Sequence, residues 1–162
     1  MRIRPSNVLL CESGSGFPVA KVADFGISKL VAEDGTTRHS TLAFTAGYAA
    51  PEVLWRTLGS ARSNVDVYSF GVLMGAVLTQ SRPVAPDPLT QRPDTAPARH
   101  SDAALRGCGA SEGVLRLHGE CVSVDADDRP VFGSIVRRLT EEVCLLALSE
   151  SPPPSSASPS SS

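Results

Sequence analysis

The stretch KVADFGISKL, residues 21–30, joins a short apolar run to the tripeptide Asp-Phe-Gly at 24–26. The apolar run, Val19–Ala23, is preceded by a second one, Asn7–Leu10, and the intervening CESGSGFP contains Gly and Pro. Such residues between apolar runs are typical of a loop joining antiparallel strands. The sequence therefore predicts a β-hairpin with Asp24 just past its second strand.

Two interpretations of the tripeptide follow from its own residues. Asp24 is either a turn residue beside a core phenylalanine, Phe25, or a carboxylate that points toward a bound cation. Gly26 fits both, since it lets the backbone reverse without a Cβ clash. A three-residue match is weak by itself, so the rest of the chain has to decide between them.

Composition predicts one globular domain and argues against several partner classes. The chain has 162 residues, 41% of them hydrophobic, which is enough for one domain with a core. A net charge of -2, from 15 basic and 17 acidic residues, gives no electrostatic case for nucleic acid as a partner. The longest apolar run, Phe70–Leu78, is about half of what spanning a bilayer requires, so no membrane segment is expected in this chain.

The cysteines predict a reducing compartment. All four are widely separated and form no C-x-x-C pair: Cys11, Cys108, Cys121 and Cys144. Neither a zinc site nor a disulfide framework is indicated. We therefore expect free thiols, a cytoplasmic location and no signal peptide, because the apolar run after Met1 is too short and lacks a cleavage site.

Beyond the hairpin the chain is predicted to be mainly helical. Residues 63–80 are apolar on nearly every side and predict a buried helix, while 111–122 and the segment opening at Pro130 have helical periodicity. The last of these has one apolar stripe, formed by Phe132, Ile135, Val136, Leu139, Val143 and Leu146. A short helix is expected near 101–107, a long polar loop over 27–47, and a disordered Ser/Pro-rich tail over 149–162.

Three further motifs accompany the tripeptide, and each has an ordinary structural interpretation. Residues 4–7, Arg-Pro-Ser-Asn, form a turn-like sequence ahead of the first strand. TAGYAAPEV, residues 45–53, contains an Ala-Pro-Glu that suits a helix start. CVSVDADDRPVF, residues 121–132, reads as an acidic loop with a solvated arginine.

Taken together, the four motifs stand in an order and spacing that resembles the C-terminal lobe of a protein kinase, over residues 1–148. The implied fold is mainly α with a short β-hairpin, with the N lobe and the start of the catalytic loop missing. The pattern of Cys121, Asp125, Arg129, Pro130 and Phe132 is similar to that of the tyrosine-kinase-like group of Ser/Thr kinases.

The resemblance implies an ATP site that uses magnesium. Asn7 and Asp24 would hold the metal ions that bridge the phosphates, and Arg4 would contact the γ-phosphate in place of a lysine. Leu9 would form part of the floor under adenine, and Ala23 would line the same pocket.

The resemblance also assigns substrate, regulatory and structural residues. Thr45 would meet the hydroxyl of a protein substrate, and Thr41 with neighbouring Ser40 would lie in the activation loop as phosphate acceptors. Glu52 and Arg129 would form a buried ion pair, and the Asp66 carboxylate would accept backbone amides of the catalytic loop.

The pattern breaks at the catalytic aspartate. Arg2 stands five residues before Asn7, where the family has the aspartate that accepts the proton of the substrate hydroxyl. An arginine stays protonated and cannot serve as that base. The expectation is therefore a piece of a Ser/Thr kinase that is inactive by itself, and the alternative is a non-catalytic remnant that acts as a protein-interaction scaffold.

Overall fold

The computed structural model describes residues 3–14, 16–23, 47–54, 64–83 and 100–149. Within these ranges the chain forms one antiparallel strand pair and five α-helices. The mainly α architecture with a short hairpin is the one that the sequence predicts. Most of the long polar loop, most of the predicted tail, and the residues Arg2, Asp24, Ser40, Thr41 and Thr45 lie outside the described residues.

The hairpin consists of β1, Val8–Cys11, and β2, Val19–Val22. The strands are antiparallel, with Val8 opposite Val22 and Cys11 opposite Val19. Gly16 in the connecting loop has φ +79°, a left-handed conformation that glycine adopts at little cost. A 3₁₀ turn, Pro5–Asn7, leads directly into β1.

The helices are α1, Pro51–Leu54; α2, Asn64–Thr79; α3, Asp102–Gly107; α4, Glu112–Cys121; and α5, Phe132–Ser149. Serine side chains begin two of them, because the hydroxyl of an N-cap residue accepts an otherwise unsatisfied backbone N–H. Ser101 accepts from the Ala104 N–H in α3, and Ser111 accepts from the Val114 N–H in α4, both at 3.2 Å.

The core forms where α2 meets α4 and α5. One cluster packs Ala50, Tyr68, Val72 and Val122, and the other packs Val67, Leu117, Cys121 and Ile135. Gly71 permits the close approach of α4, since a Cβ at this position would lie 2.7 Å from Cβ of Cys121 and 2.8 Å from Cγ1 of Val122. The face of α2 that includes Val67 and Gly71 is therefore the centre of the fold.

The expectation that α2 is buried on all sides is wrong. Val77, near its C-terminal end, is 66% exposed, and Phe70 and Leu73 are only partly buried. The helix is apolar nearly all round, but the described helices cover mainly one of its sides. Hydrophobicity therefore overstated how much of α2 is enclosed.

Two details of α5 also differ from the sequence prediction. The helix begins at Phe132, two residues after Pro130, and the Val131 carbonyl accepts from the N–H groups of Ser134 and Ile135. In its apolar stripe only Ile135 is buried and Leu139 is partly buried, whereas Phe132, Val136, Val143 and Leu146 are exposed. Burial of the stripe depends on what lies beside it, and α4 covers only one flank.

In the part of the chain that is described, no helix combines the length and the apolar character needed to cross a membrane.

Candidate functional site

Asn7 lies at the start of the hairpin and is one of the two residues for which the family resemblance predicts a metal-ligand role. It is buried, its side-chain oxygen Oδ1 accepts from Nε of Arg4 at 3.1 Å, and the Ser6 hydroxyl lies 3.4 Å from the same oxygen. Its carbonyl oxygen accepts from the Ala23 N–H at 2.7 Å. The backbone of the residue just before Asp24 is thereby tied to Asn7.

The Asn7 side chain is chemically suited to a hard cation, because magnesium prefers oxygen ligands such as carboxylate and carboxamide. Of the two expected ligands, the structure describes Asn7 alone. A cation bound at Asn7 Oδ1 would compete with the Arg4 guanidinium for the same oxygen. No cluster of three or more metal-binding His, Cys, Asp or Glu side chains occurs within the described ranges.

The expected adenine-pocket residues lie on the hairpin. Leu9 is opposite Lys21 in the strand register and is 53% exposed. Ala23 is partly buried and follows β2 directly. The structure therefore keeps an apolar side chain, Leu9, at an accessible position on the hairpin that begins at Asn7.

Arg129 satisfies every one of its five N–H donors. Nη1 and Nη2 donate to the two carboxylate oxygens of Glu52 at 2.7 and 2.9 Å. Its three remaining N–H groups donate to the backbone carbonyls of Ser123 at 2.9 Å and of Asn64 and Val124 at 3.2 Å. The guanidinium carbon also lies 5.1 Å from the centre of the Tyr68 ring, a distance typical of a cation–π contact.

Burial and pairing act in opposite directions on Glu52. The Arg129 side chain is 0% exposed and that of Glu52 is 25% exposed. Desolvation by burial would raise the pKa of the Glu52 carboxyl, but hydrogen bonds and the charge of Arg129 outweigh it, and the pKa is lowered from its usual value. The carboxylate is thus ionised and held in place near neutral pH.

Asp66 lies in the first turn of α2 and is partly buried. Desolvation by burial raises the pKa of its carboxyl, because the charged form loses water contacts. That the carboxylate accepts catalytic-loop amides stays a prediction from the resemblance.

Two residues that the sequence analysis did not single out also organise this region. The Ser69 hydroxyl lies 2.7 Å from the Tyr48 carbonyl oxygen, and the Asn64 side-chain amide donates to the Ala126 carbonyl at 2.8 Å. They connect α2 to the segment before α1 and to the turn before Arg129. A buried serine inside an apolar helix and an asparagine at its start are the signals that could have identified them.

A family model described as protein kinase domain matches residues 2–139. This range contains most of the chain, including Asn7, Glu52 and Arg129. The chain belongs to the protein kinase family. The kinase relationship covers the hairpin, α1 to α4 and the first part of α5.

Named kinases from several organisms are similar to this chain. The "Calmodulin-binding receptor-like cytoplasmic kinase 1" of Arabidopsis thaliana is 35% identical over 154 residues, covering 85% of this chain and 32% of that protein. The "LRR receptor-like serine/threonine-protein kinase FEI 2" of the same plant is 31% identical over 154 residues, covering 87% and 25%. The "Serine/threonine-protein kinase A" of Synechocystis is 39% identical over 85 residues, covering 52% and 16%.

This chain thus spans a third or less of the length of these three relatives. The parts of the relatives that it does not match include most of each protein. What the whole kinases do is therefore carried to this chain only as a proposal.

Proposed function

We propose that this chain is part of a Ser/Thr protein kinase that, in its full-length parent form, transfers phosphate from ATP to protein hydroxyls with magnesium. The observation that carries the proposal is the coupling of Asn7 to Ala23 at the hairpin, within a chain matched by the protein kinase model over residues 2–139. That hydrogen bond ties Asn7 to the residue that precedes Asp24 in the sequence, which supports a shared role for the two expected metal ligands.

In the parent kinase, Asn7 and Asp24 would hold the magnesium ions, and Arg4 would contact the γ-phosphate. Magnesium would supply charge neutralisation between the phosphates. Arg4 Nε donates to Asn7 Oδ1 at 3.1 Å, so a cation bound at that oxygen would release the Arg4 guanidinium for the γ-phosphate. The adenine of ATP would pack against Leu9, with Ala23 beside it. The exposure of the Leu9 side chain is compatible with that contact.

The chain by itself is proposed to be inactive. Phosphoryl transfer relies on positioning and charge stabilisation by several groups, and Arg2 cannot replace the aspartate that accepts the substrate proton. Asp24 and Asn7 alone can hold magnesium only weakly, since the ion depends on ATP oxygens for part of its coordination.

The remaining assignments concern substrate and regulation. Thr45 is proposed to meet the acceptor hydroxyl of a protein substrate, and Thr41 or Ser40 to accept a regulatory phosphate. A phosphate at Thr41 would gain from nearby cations such as Arg38. Mass spectrometry of the active parent should find Thr41 modified, and Thr41→Ala should lower its activity; an unmodified loop would refute this assignment.

Membership of the tyrosine-kinase-like group and a cytoplasmic location are also proposed. The first is supported by the motif at 121–132, and the second by four cysteines that are free in the structure. The name of one relative includes the word cytoplasmic, whereas others are named receptor kinases.

The second candidate function is a non-catalytic scaffold, favoured by Arg2 at the position of the catalytic aspartate. The genomic sequence upstream separates the two: an in-frame His-Arg-Asp and a glycine-rich loop support the kinase, and their absence supports the scaffold.

The metal assignment is tested in the full-length parent by replacing Asn7 with Ala. The magnesium concentration needed for half-maximal phosphotransfer should rise, because one oxygen ligand is lost. Ser13→Ala, in the exposed hairpin loop, is the matched control and should leave the magnesium dependence unchanged. An Asn7→Ala enzyme with the unaltered magnesium dependence would contradict the proposed role.

A further inference from the structure

The chain turns sharply after α2, and this turn is fastened to its surroundings. Gln80 has φ +51°, a left-handed conformation that residues other than glycine rarely adopt, so the helix ends there and the chain changes direction. The Ser81 hydroxyl lies 2.7 Å from the Thr79 hydroxyl and 3.0 Å from Nε2 of His100. These contacts fix the course of the turn.

The turn packs against residues 47–50, the segment that precedes α1. A Cβ built on Gly47 would lie 3.4 Å from Cγ and 3.6 Å from the carbonyl oxygen of Pro83, so the two stretches of chain approach closely. The Ser69 hydroxyl, in the middle of α2, lies 2.7 Å from the Tyr48 carbonyl oxygen. The segment is therefore held by both the turn and the helix.

Arg82 places a positive charge beside this segment. It directly precedes Pro83, and its side chain is exposed. Burial raises the pKa of the Tyr48 phenol, and the charge of Arg82 opposes that rise. The guanidinium is thus close enough to Tyr48 to interact with it electrostatically while remaining accessible to a ligand.

The charge of Arg82 is not compensated by the described residues around it. In 47–54 and 80–83 the other charged side chain is Glu52, and both of its carboxylate oxygens accept hydrogen bonds from Arg129. None of the ion pairs between described residues includes Arg82. The described part of this surface therefore attracts an acidic group.

We propose that Arg82 is a specificity-determining residue that selects protein substrates with an acidic side chain near the acceptor hydroxyl. The inference rests on the proposed function, in which Thr45 meets that hydroxyl. Gly47 follows Thr45 by two positions, and two residues of chain span at most about 7 Å, so a substrate at Thr45 brings its neighbouring side chains to this surface. An arginine binds a carboxylate there through up to two parallel hydrogen bonds.

Peptide kinetics with the full-length parent test the selection. The peptides share one serine acceptor and differ in a single aspartate or alanine, placed at successive positions on either side of it. At one or more positions aspartate should lower KM about two- to five-fold relative to alanine, the effect of one exposed ion pair, with kcat nearly unchanged. Because ions screen the attraction, the difference should shrink as the salt concentration rises.

Variants of the arginine test its role directly. Arg82→Gln should abolish the preference for aspartate, and Arg82→Glu should replace it with a preference for lysine. The KM for ATP should stay unaltered in both variants, which separates a change in selectivity from a general loss of structure. Arg137→Gln, at an exposed arginine of α5, is the matched control and should retain the preference for aspartate.

The outcomes separate this inference from the proposed function. An active parent with equal KM for the aspartate and alanine peptides at every position would overturn the selection by Arg82 and leave the kinase proposal standing. A preference for aspartate that survives Arg82→Glu would do the same. A parent that phosphorylates none of the peptides would overturn both.

Discussion

Arg129 donates hydrogen bonds of 2.7 and 2.9 Å to the two carboxylate oxygens of Glu52, which lies 77 positions earlier in the sequence. The same guanidinium bonds to the carbonyls of Asn64, Ser123 and Val124. One side chain thereby connects α1, the start of α2 and the turn before α5. The stability of this region therefore depends strongly on the buried guanidinium of Arg129.

Removing Arg129 should be strongly destabilising. Arg129→Ala leaves Glu52 and three carbonyl groups without their donor, and breaking a buried pair typically costs about 3 to 5 kcal/mol. Urea unfolding measures the loss. Arg137→Ala is the matched control, because its pair with Glu141 is exposed and is worth about 0.3 to 0.5 kcal/mol.

A double-mutant cycle isolates the contribution of the pair itself. Glu52→Ala and Arg129→Ala should show a clear coupling energy, since each removes the partner of the other. Fully additive effects on the free energy of unfolding would mean that the two side chains do not stabilise each other.

Acid should weaken the fold partly through Glu52. Its folded-state pKa lies below its usual value of 4.5, so its contribution to stability is present above that value and is lost as the pH falls through the lowered pKa. The free energy of unfolding of Glu52→Gln should therefore decrease less on acidification than that of the unaltered protein. Urea titrations at pH 7 and at pH values below 4.5 measure this; equal decreases would contradict it.

Gly71 should tolerate no larger side chain. Gly71→Ala would press a methyl group onto Cys121 and Val122 of the α2–α4 contact, and such overpacking costs about 1 to 3 kcal/mol. Gly119→Ala is the matched helical control, because its added Cβ meets nothing within 4 Å. It should stabilise the chain by about 0.5 to 1 kcal/mol through helix propensity. Thermal or urea unfolding measures the change in stability of both variants. A Gly71→Ala variant as stable as the unaltered protein would be inconsistent with the close packing.

Cysteine labelling should separate buried from exposed thiols. Desolvation by burial, aided by the charge of Glu120, raises the pKa of the Cys121 thiol to about 12. The reactive thiolate is thus scarce near pH 8, and Cys121 should resist iodoacetamide while exposed Cys108 and Cys144 react. Peptide mass spectrometry with a denatured control measures this; rapid native labelling of Cys121 would disprove its enclosure.

The sequence predicts the elements of this fold better than their burial. Turn residues between apolar runs locate the hairpin, and helical periodicity locates α4 within 111–122, because these signals act within a few residues. Val77 and the stripe of α5 were less predictable, since hydrophobicity reports what a side chain can bury and not what lies beside it.

Some contacts in the candidate site were predicted and others were missed. The contact of Glu52 with Arg129 was expected from the family resemblance, because no local pattern joins residues 77 positions apart. Asn64 and Ser69 carry local signals, an asparagine at a helix start and a serine inside an apolar helix. Their partners are backbone carbonyls, which every residue has, so the sequence does not show which carbonyl each side chain reaches.

Phosphotransfer from ATP tests the central claim most directly: that this chain is a kinase piece whose chemistry requires the rest of its parent. With magnesium and a generic protein substrate, the purified 162-residue chain should transfer no phosphate, whereas a full-length parent with an intact N lobe and catalytic loop should be active. The parent should lose that activity on Asp24→Ala. Robust transfer by the short chain that Asp24→Ala abolishes, or a complete parent that is inactive, would contradict the account.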